Sequence, residues 1–186
     1  GLSIHSARMR NQYADRRDGI RLLDHVERAS DELSSARCDA IAFCCTTSSF
    51  IKGPDGEAEL LQRVGRAGHA PAVTTSGAVV AALRAVGARR ISLATPYLPD
   101  INEAEVEFLT HFGFEIAAED GLAIKDAFDI ATVPSNEVDS LARSVLRSDA
   151  DAVFISCTNL RTFDSLARLE AEFGRPVISS NQATYW

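Results

Sequence analysis

The chain has 186 residues, of which 46% are hydrophobic and 24% charged, a composition typical of a globular protein with a substantial core. The formal net charge of -7 comes from scattered acidic residues, and there is no basic stripe, so we expect no nucleic-acid partner. No apolar run approaches the roughly 20 residues of a membrane span. The composition therefore excludes a membrane-spanning protein and argues against a nucleic-acid-binding one.

The cysteine pattern argues against a structural metal site and against a disulfide framework. Cys44 and Cys45 are adjacent, and no pair of cysteines has the C-x-x-C spacing of zinc and redox motifs. The four histidines show no metal-ligand spacing. We therefore expect free thiols, a cytoplasmic location, no metal and no cofactor.

Short apolar runs alternate with helical patterns along the whole chain. Seven runs rich in Ile, Val and Phe predict buried parallel strands at 2–6, 40–44, 72–75, 90–95, 114–117, 152–156 and 176–179. Six segments with apolar residues at helical spacing predict helices at 18–35, 56–67, 77–86, 102–112, 136–146 and 162–173. This alternation predicts an α/β fold with parallel sheets flanked by helices.

An internal repeat divides the chain into two similar parts. Residues 39–46 match residues 151–158 without a gap, and residues 1–4 match residues 113–116 at the same offset. We predict two pseudo-symmetric α/β halves, 1–88 and 89–186, with the active site in the cleft between them.

The repeat also predicts elements that the chain does not contain. The first half begins at the equivalent of Gly113, whereas the second half begins earlier in the repeat, with the strand at 90–95. We therefore expect the first half to lack its first strand and helix, and the second half to lack its last helix. Either a longer natural chain or a neighbouring copy in a homo-oligomer would supply them.

Each half ends a strand with Cys-Thr, at Cys45 and at Cys157. Ligands of open parallel sheets bind beyond the carboxyl ends of the strands, and helix N-termini there favour anions and lower thiol pKa values. A single cysteine in an apolar strand is more often a small buried hydrophobe, which is how we interpret Cys38 and Cys44. The repeated position instead predicts that Cys45 and Cys157 face each other across a carboxylate-binding cleft.

Four segments, 43–50, 86–97, 155–160 and 176–181, together resemble the aspartate/glutamate racemase superfamily, and within it the maleate cis-trans isomerase and arylmalonate decarboxylase branch. The resemblance implies one catalytic cysteine on each face of the substrate, Cys45 and Cys157. It implies a carboxylate pocket formed by Thr46, Thr47, Tyr97 and Thr158.

Three positions bear on the activity within this superfamily. The decarboxylases carry Gly where this chain has Cys45, and glutamate racemases carry His where it has Asn159. Isomerase relatives carry an Asn in the loop that here reads Lys125-Asp126-Ala127. The first two differences favour an isomerase-like activity, and the third bears on the identity of the substrate.

The resulting hypothesis is a cofactor-independent, two-cysteine isomerase or racemase that acts on a small carboxylic or dicarboxylic acid, similar to maleate cis-trans isomerase. One alternative is an arylmalonate-type decarboxylase that uses Cys157 alone. A second is a non-catalytic protein that binds small carboxylates.

Overall fold

The computed structural model describes residues 1–186 and contains two parallel sheets. The smaller sheet pairs β1 (Ile41–Phe43) with β2 (Ala72–Thr74). The larger sheet has the strand order β4-β3-β5-β6. Its strands are β3 (Arg90–Thr95), β4 (Glu115–Gly121), β5 (Ala152–Ile155) and β6 (Val177–Ser179). Every pairing between these six strands is parallel, and helices pack on both sheets, so the predicted α/β fold class is confirmed.

Ten α-helices connect and cover the strands. They are α1 (Arg16–Leu22), α2 (Val26–Ser34), α3 (Thr46–Phe50), α4 (Gly53–Gly68), α5 (Thr75–Ala85), α6 (Pro99–His111), α7 (Ala127–Thr132), α8 (Ser135–Val145), α9 (Phe163–Phe173) and α10 (Ser180–Tyr185), with a short 3₁₀ turn between α1 and α2. All six predicted helical segments contain helix. None of the helices combines the length and the apolar character that crossing a membrane requires.

Capping residues explain where several helices begin and end. The Thr74 hydroxyl accepts a hydrogen bond from the Gly77 amide at the start of α5, and the Ser179 hydroxyl accepts one from Gln182 at the start of α10. Such bonds satisfy amide groups that the first helical turn leaves free. At the other end of α9, Gly174 adopts φ 65°, which glycine tolerates best.

The core is divided between the two sheets. A cluster of 35 buried residues surrounds the larger sheet, and β5 is buried along its whole length. Continuous apolar runs such as the one in β5 are typical of parallel strands that are covered on both faces. A smaller cluster of seven buried residues joins β1 to α2 and α4. The strands that lead to Cys45 and Cys157 are therefore each anchored in a packed core.

The prediction of a strand at residues 2–6 is wrong. Residues 1–12 contain no helix or strand, and the side chains of Leu2 and Ile4 are 90% and 73% exposed. A strand needs a neighbour to pair its backbone groups, and β1 pairs with β2 alone. The division into halves at residue 88 stays a prediction, although β1 and β2 precede that point and the other four strands follow it.

Candidate active site

Turns from both sheets meet at one cavity. β1 leads through Cys44 into Cys45, the N-cap residue of α3, and β5 leads through Ser156 into Cys157. A hydrogen bond joins the turn after β1 to the turn after β6: the Thr46 hydroxyl donates to the Ser180 hydroxyl oxygen over 3.1 Å. The carboxyl ends of strands from both sheets therefore contribute to the same site.

The cavity has a volume of about 700 Å³ and an apolar majority in its lining. All six residues that the sequence predicts as site residues line it: Cys45, Cys157, Thr46, Thr47, Tyr97 and Thr158. The structure therefore brings the predicted set together. The catalytic and binding roles of these residues remain predictions.

Cys45 begins the short helix α3 in an extended backbone conformation. Its thiol lies 3.3 Å from the Ser48 hydroxyl oxygen, and the first turn of α3 lies directly beside it. Burial raises the pKa of the Cys45 thiol, and hydrogen bonds from the side chain and backbone of Ser48 oppose that rise. Ser48, one of the hydroxyl residues of the turn that follows Cys45, is thus a hydrogen-bond partner of this thiol.

Cys157 is held in an unusual backbone conformation, with φ 90°. Non-glycine residues in this region cost about 1–3 kcal/mol and persist where the surroundings fix them. The Cys157 amide donates to the Ser180 hydroxyl over 3.0 Å, and the Asn159 amide donates to the Cys157 sulfur over 3.4 Å. Burial raises the pKa of the Cys157 thiol to about 12, against lowering contributions from the Asn159 amide and the Tyr97 hydroxyl.

The expected lowering of the thiol pKa values is therefore wrong for this structure. Burial disfavours the charged thiolate and outweighs the hydrogen bonds that favour it at both cysteines. A charge on Cys45 also raises the pKa of Cys157, which shows that the two thiols are close enough to influence each other. The site consequently favours at most one thiolate at a time.

Tyr97 is a buried residue in the wall of the cavity. Only 1% of its surface is exposed, and its ring packs edge-on against Phe50 with the ring centroids 6.3 Å apart. Its hydroxyl is 3.5 Å from the Ser156 hydroxyl and also contacts Thr47 and Cys157. Burial raises the pKa of Tyr97 well above its usual value, so the hydroxyl is a neutral hydrogen-bond donor.

Sequence reasoning missed Glu105, which is buried on α6 beneath Tyr97 and hydrogen-bonded to Ser156. Its position in the sequence could have revealed it. Ile101, Glu105 and Phe108 are spaced four and three residues apart, so they share the buried face of α6. An acidic residue on the buried face of an amphipathic helix is uncommon unless it is paired.

Gly121→Ala is expected to destabilise the protein, because a Cβ atom at Gly121 would lie 2.7 Å from the Asn102 amide nitrogen and 3.0 Å from the Tyr97 carbonyl oxygen. Such overpacking costs about 1–3 kcal/mol, a fall in melting temperature of about 2–12 °C. Thermal unfolding by circular dichroism measures it. Gly65→Ala in α4 is the matched control, because no heavy atom lies nearer than 3.4 Å, and it should be neutral or stabilising. Equal melting temperatures for the two variants would contradict the packing argument.

Comparison with known proteins agrees with this geometry. A family model described as arylmalonate decarboxylase matches residues 11–186. The maleate isomerase of Nocardia farcinica is 30% identical over 188 residues, which cover 98% of this chain and 75% of the relative. The arylmalonate decarboxylase of Bordetella bronchiseptica is 30% identical over 167 residues, covering 89% and 68% of the two chains.

Solved structures of maleate isomerases are also similar to this chain. A mutant maleate isomerase from Pseudomonas putida S16 with maleate superposes with a TM-score of 0.95 at 26% identity, covering 99% of this chain and 76% of that one. A Cys-to-Ser mutant of the Nocardia farcinica maleate cis-trans isomerase with a covalently bound succinylcysteine intermediate has a TM-score of 0.94 at 28% identity, covering 97% and 76%.

The fold and the paired thiols, taken with these relatives, define a cysteine-dependent isomerase-like enzyme of the α/β class. The chain belongs to the arylmalonate decarboxylase family. The predicted resemblance and the predicted isomerase-like enzyme class are thereby confirmed.

Proposed function

We propose that this protein is a cofactor-independent maleate cis-trans isomerase that converts maleate to fumarate with two cysteines. The observation that carries the proposal is the placement of Cys45 and Cys157 in one cavity, among neutral hydroxyl donors. The presence of a cysteine at position 45, where the decarboxylases carry Gly, favours the isomerase over the decarboxylase. The maleate and the succinylcysteine in related structures support the same choice.

The substrate carboxylates are held by neutral donors in this proposal. Tyr97 offers its hydroxyl proton, and Thr47 and Thr158 line the same cavity. Thr46 lines the cavity too, and in the free protein its hydroxyl donates to Ser180, the hydroxyl that accepts a hydrogen bond from the Cys157 amide. Neutral donors in a partly dry site stabilise the charge that develops when a nucleophile adds to an unsaturated acid.

The chemical step begins at Cys45. Its thiolate adds to one alkene carbon and forms a C–S bond, and the electron pair of the double bond moves to the neighbouring carbon, where the carboxylate delocalises it. The Cys157 thiol protonates that carbon and becomes the thiolate. A succinyl adduct on Cys45 results, with a single bond where the double bond was.

Rotation about this single bond brings the two carboxylates to opposite sides. The Cys157 thiolate then removes the proton, the double bond re-forms as the C–S bond breaks, and fumarate leaves with both sulfurs back in their starting states. A high pKa suits Cys157 to this role because it holds its proton until a carbanion is present. Cys45, with stabilising hydrogen bonds from Ser48, suits the nucleophile.

Two further properties remain proposals. Four free cysteines are best kept reduced in the cytoplasm, which is the location we infer. The homo-oligomer that the sequence repeat suggests is also retained as a proposal.

The test is incubation of the purified protein with maleate, followed by proton NMR of the alkene signals. Growth of the fumarate signal at the expense of maleate is the expected result. Unchanged maleate, together with loss of carbon dioxide from an arylmalonate, would instead favour the decarboxylase. Tight binding of maleate with no turnover of either acid would favour a carboxylate-binding protein.

A further inference from the structure

Glu105 is a buried acidic residue for which the proposed reaction provides no role. Its side chain lies on α6 with 2% of the residue exposed, and it takes part in no salt bridge. One carboxyl oxygen, Oε2, is buried without a hydrogen-bond partner. A buried polar atom without a partner costs free energy, so its retention calls for an explanation.

A chain of hydroxyl groups connects Glu105 to the cavity. The Ser156 hydroxyl lies 2.7 Å from Glu105 Oε1 and 3.5 Å from the Tyr97 hydroxyl oxygen. The Tyr97 hydroxyl in turn contacts the Cys157 thiol and lines the cavity. The 3.5 Å contact is long for two hydroxyl groups, and such contacts in ligand-free sites commonly shorten when substrate binds.

The direction of these hydrogen bonds depends on whether Glu105 holds a proton. When Glu105 is protonated on Oε1, the oxygen beside Ser156, it donates to Ser156; Ser156 then donates to Tyr97, and the Tyr97 proton is free to point into the cavity. An ionised Glu105 accepts a hydrogen bond from the Ser156 hydroxyl. Ser156 has no second proton, so it can then only accept a hydrogen bond from the Tyr97 hydroxyl. The Tyr97 proton is thereby drawn away from the substrate.

We propose that Glu105 is a positioning residue whose protonated form directs the Tyr97 hydroxyl proton towards the substrate carboxylate. The inference rests on the proposed function, since it takes Tyr97 as a carboxylate donor. Glu105 itself touches neither the substrate nor the reacting sulfur atoms; it acts through Ser156 and Tyr97.

The titration of Glu105 places this switch just above neutral pH. Burial raises the pKa of Glu105 to about 8, the Ser156 hydrogen bond opposes the rise, and Glu119 on β4 adds to it. Tyr97 and Cys157 have raised pKa values and keep their protons in this range. Of the helices that pack against α6, α3 carries no titratable side chain, and only one of the titratable side chains of α4 (Asp55, Glu57, Glu59, Arg63 and Arg66) is buried. That residue, Glu57, accepts a hydrogen bond from the Thr74 hydroxyl. Besides Glu119, β4 carries Glu115 and Asp120, which are exposed.

The test measures binding of succinate, a dicarboxylate without a double bond, by calorimetry from about pH 6 to about pH 10, a window that brackets the Glu105 pKa. The affinity of the wild type for succinate is expected to fall about tenfold or more as pH rises through about 8. This fall corresponds to the loss of one hydrogen bond to a charged group, the bond from Tyr97 to a succinate carboxylate. Glu105→Gln, whose amide donates to Ser156 but does not ionise, should bind with little pH dependence. Glu103→Gln, at an exposed position of α6, is the matched control and should follow the wild type.

The outcomes separate this inference from the function on which it rests. The same pH dependence in wild type and Glu105→Gln would overturn the inference and leave the isomerase proposal standing. No succinate binding at any pH, with no fumarate formed from maleate, would overturn the proposed function and the inference with it. If Glu105→Gln does not fold, Ser156→Ala breaks the same chain. Ser156→Ala should bind succinate without pH dependence, because Glu105 can no longer act on Tyr97, and wild-type pH dependence in that variant would contradict the inference.

Discussion

Replacement of Cys45 by Ser is expected to lower kcat for maleate isomerisation by at least about 10³-fold. A serine hydroxyl at this position has a much higher pKa than a thiol and is a far weaker nucleophile, and the neighbouring Ser48 hydroxyl is not a base that could activate it. Steady-state assay of fumarate formation measures the effect.

Cys44 provides a matched control for that experiment, because it precedes Cys45 and its side chain is exposed. Cys44→Ser introduces the same chemical change one residue away, and its counterpart in the other half of the repeat is already Ser156. We expect Cys44→Ser to retain activity within about threefold, the range of a surface substitution. Equal losses in Cys44→Ser and Cys45→Ser would show that the loss reflects damage to the turn and not removal of the nucleophile.

Replacement of Cys157 by Ser is expected to lower kcat by about 10²–10⁴-fold, the usual contribution of a general acid and base. The Cys157 amide would still donate to Ser180, and a serine side chain preserves the size of the residue, so the fold should persist. Assay of fumarate formation with circular dichroism on the same sample separates loss of chemistry from loss of structure. Wild-type turnover in the folded variant would remove Cys157 from the mechanism.

Most of the strands were predictable from the sequence because short, continuous runs rich in Ile, Val and Phe are typical of buried parallel strands. The run at 90–95 coincides with β3, and the runs at 152–156 and 176–179 each contain a strand one residue shorter, β5 and β6. The run at 2–6 has the same local pattern, but its side chains are exposed and it has no strand partner. Local pattern alone does not report whether a neighbouring strand is present.

Three short helices could not be predicted from the pattern of apolar residues. The helices α3, α7 and α10 have five or six residues each, too few to show helical periodicity. α3 consists of Thr46-Thr47-Ser48-Ser49-Phe50, and Ser and Thr favour turns and caps over helix interiors. Burial of this segment against α5 and α6 overrides that preference.

The sequence predicted which residues line the site better than it predicted the pKa values of the two thiols. The repeat placed Cys45 and Cys157 at equivalent strand ends, and the structure brings both to one cavity with Tyr97. The direction of their pKa shifts was not predictable, because it depends on how deeply the folded chain buries each thiol. Glu105 was missed for the same reason, since its contact with Ser156 spans 51 residues of sequence.

The central claim is that Cys45 bonds covalently to the substrate while Cys157 moves a proton. The most direct test is mass spectrometry of Cys157→Ser after incubation with maleate, with peptide mapping of the modified residue. In this variant the carbanion can still take a proton from the Ser hydroxyl or from water, but neither is a strong enough base to remove that proton again and release the product. We therefore predict an added mass of one maleic acid on the peptide that contains Cys45, and none in the Cys45→Ser, Cys157→Ser double variant. Unmodified protein from a variant that binds maleate, or an adduct found on Cys44, would contradict the account.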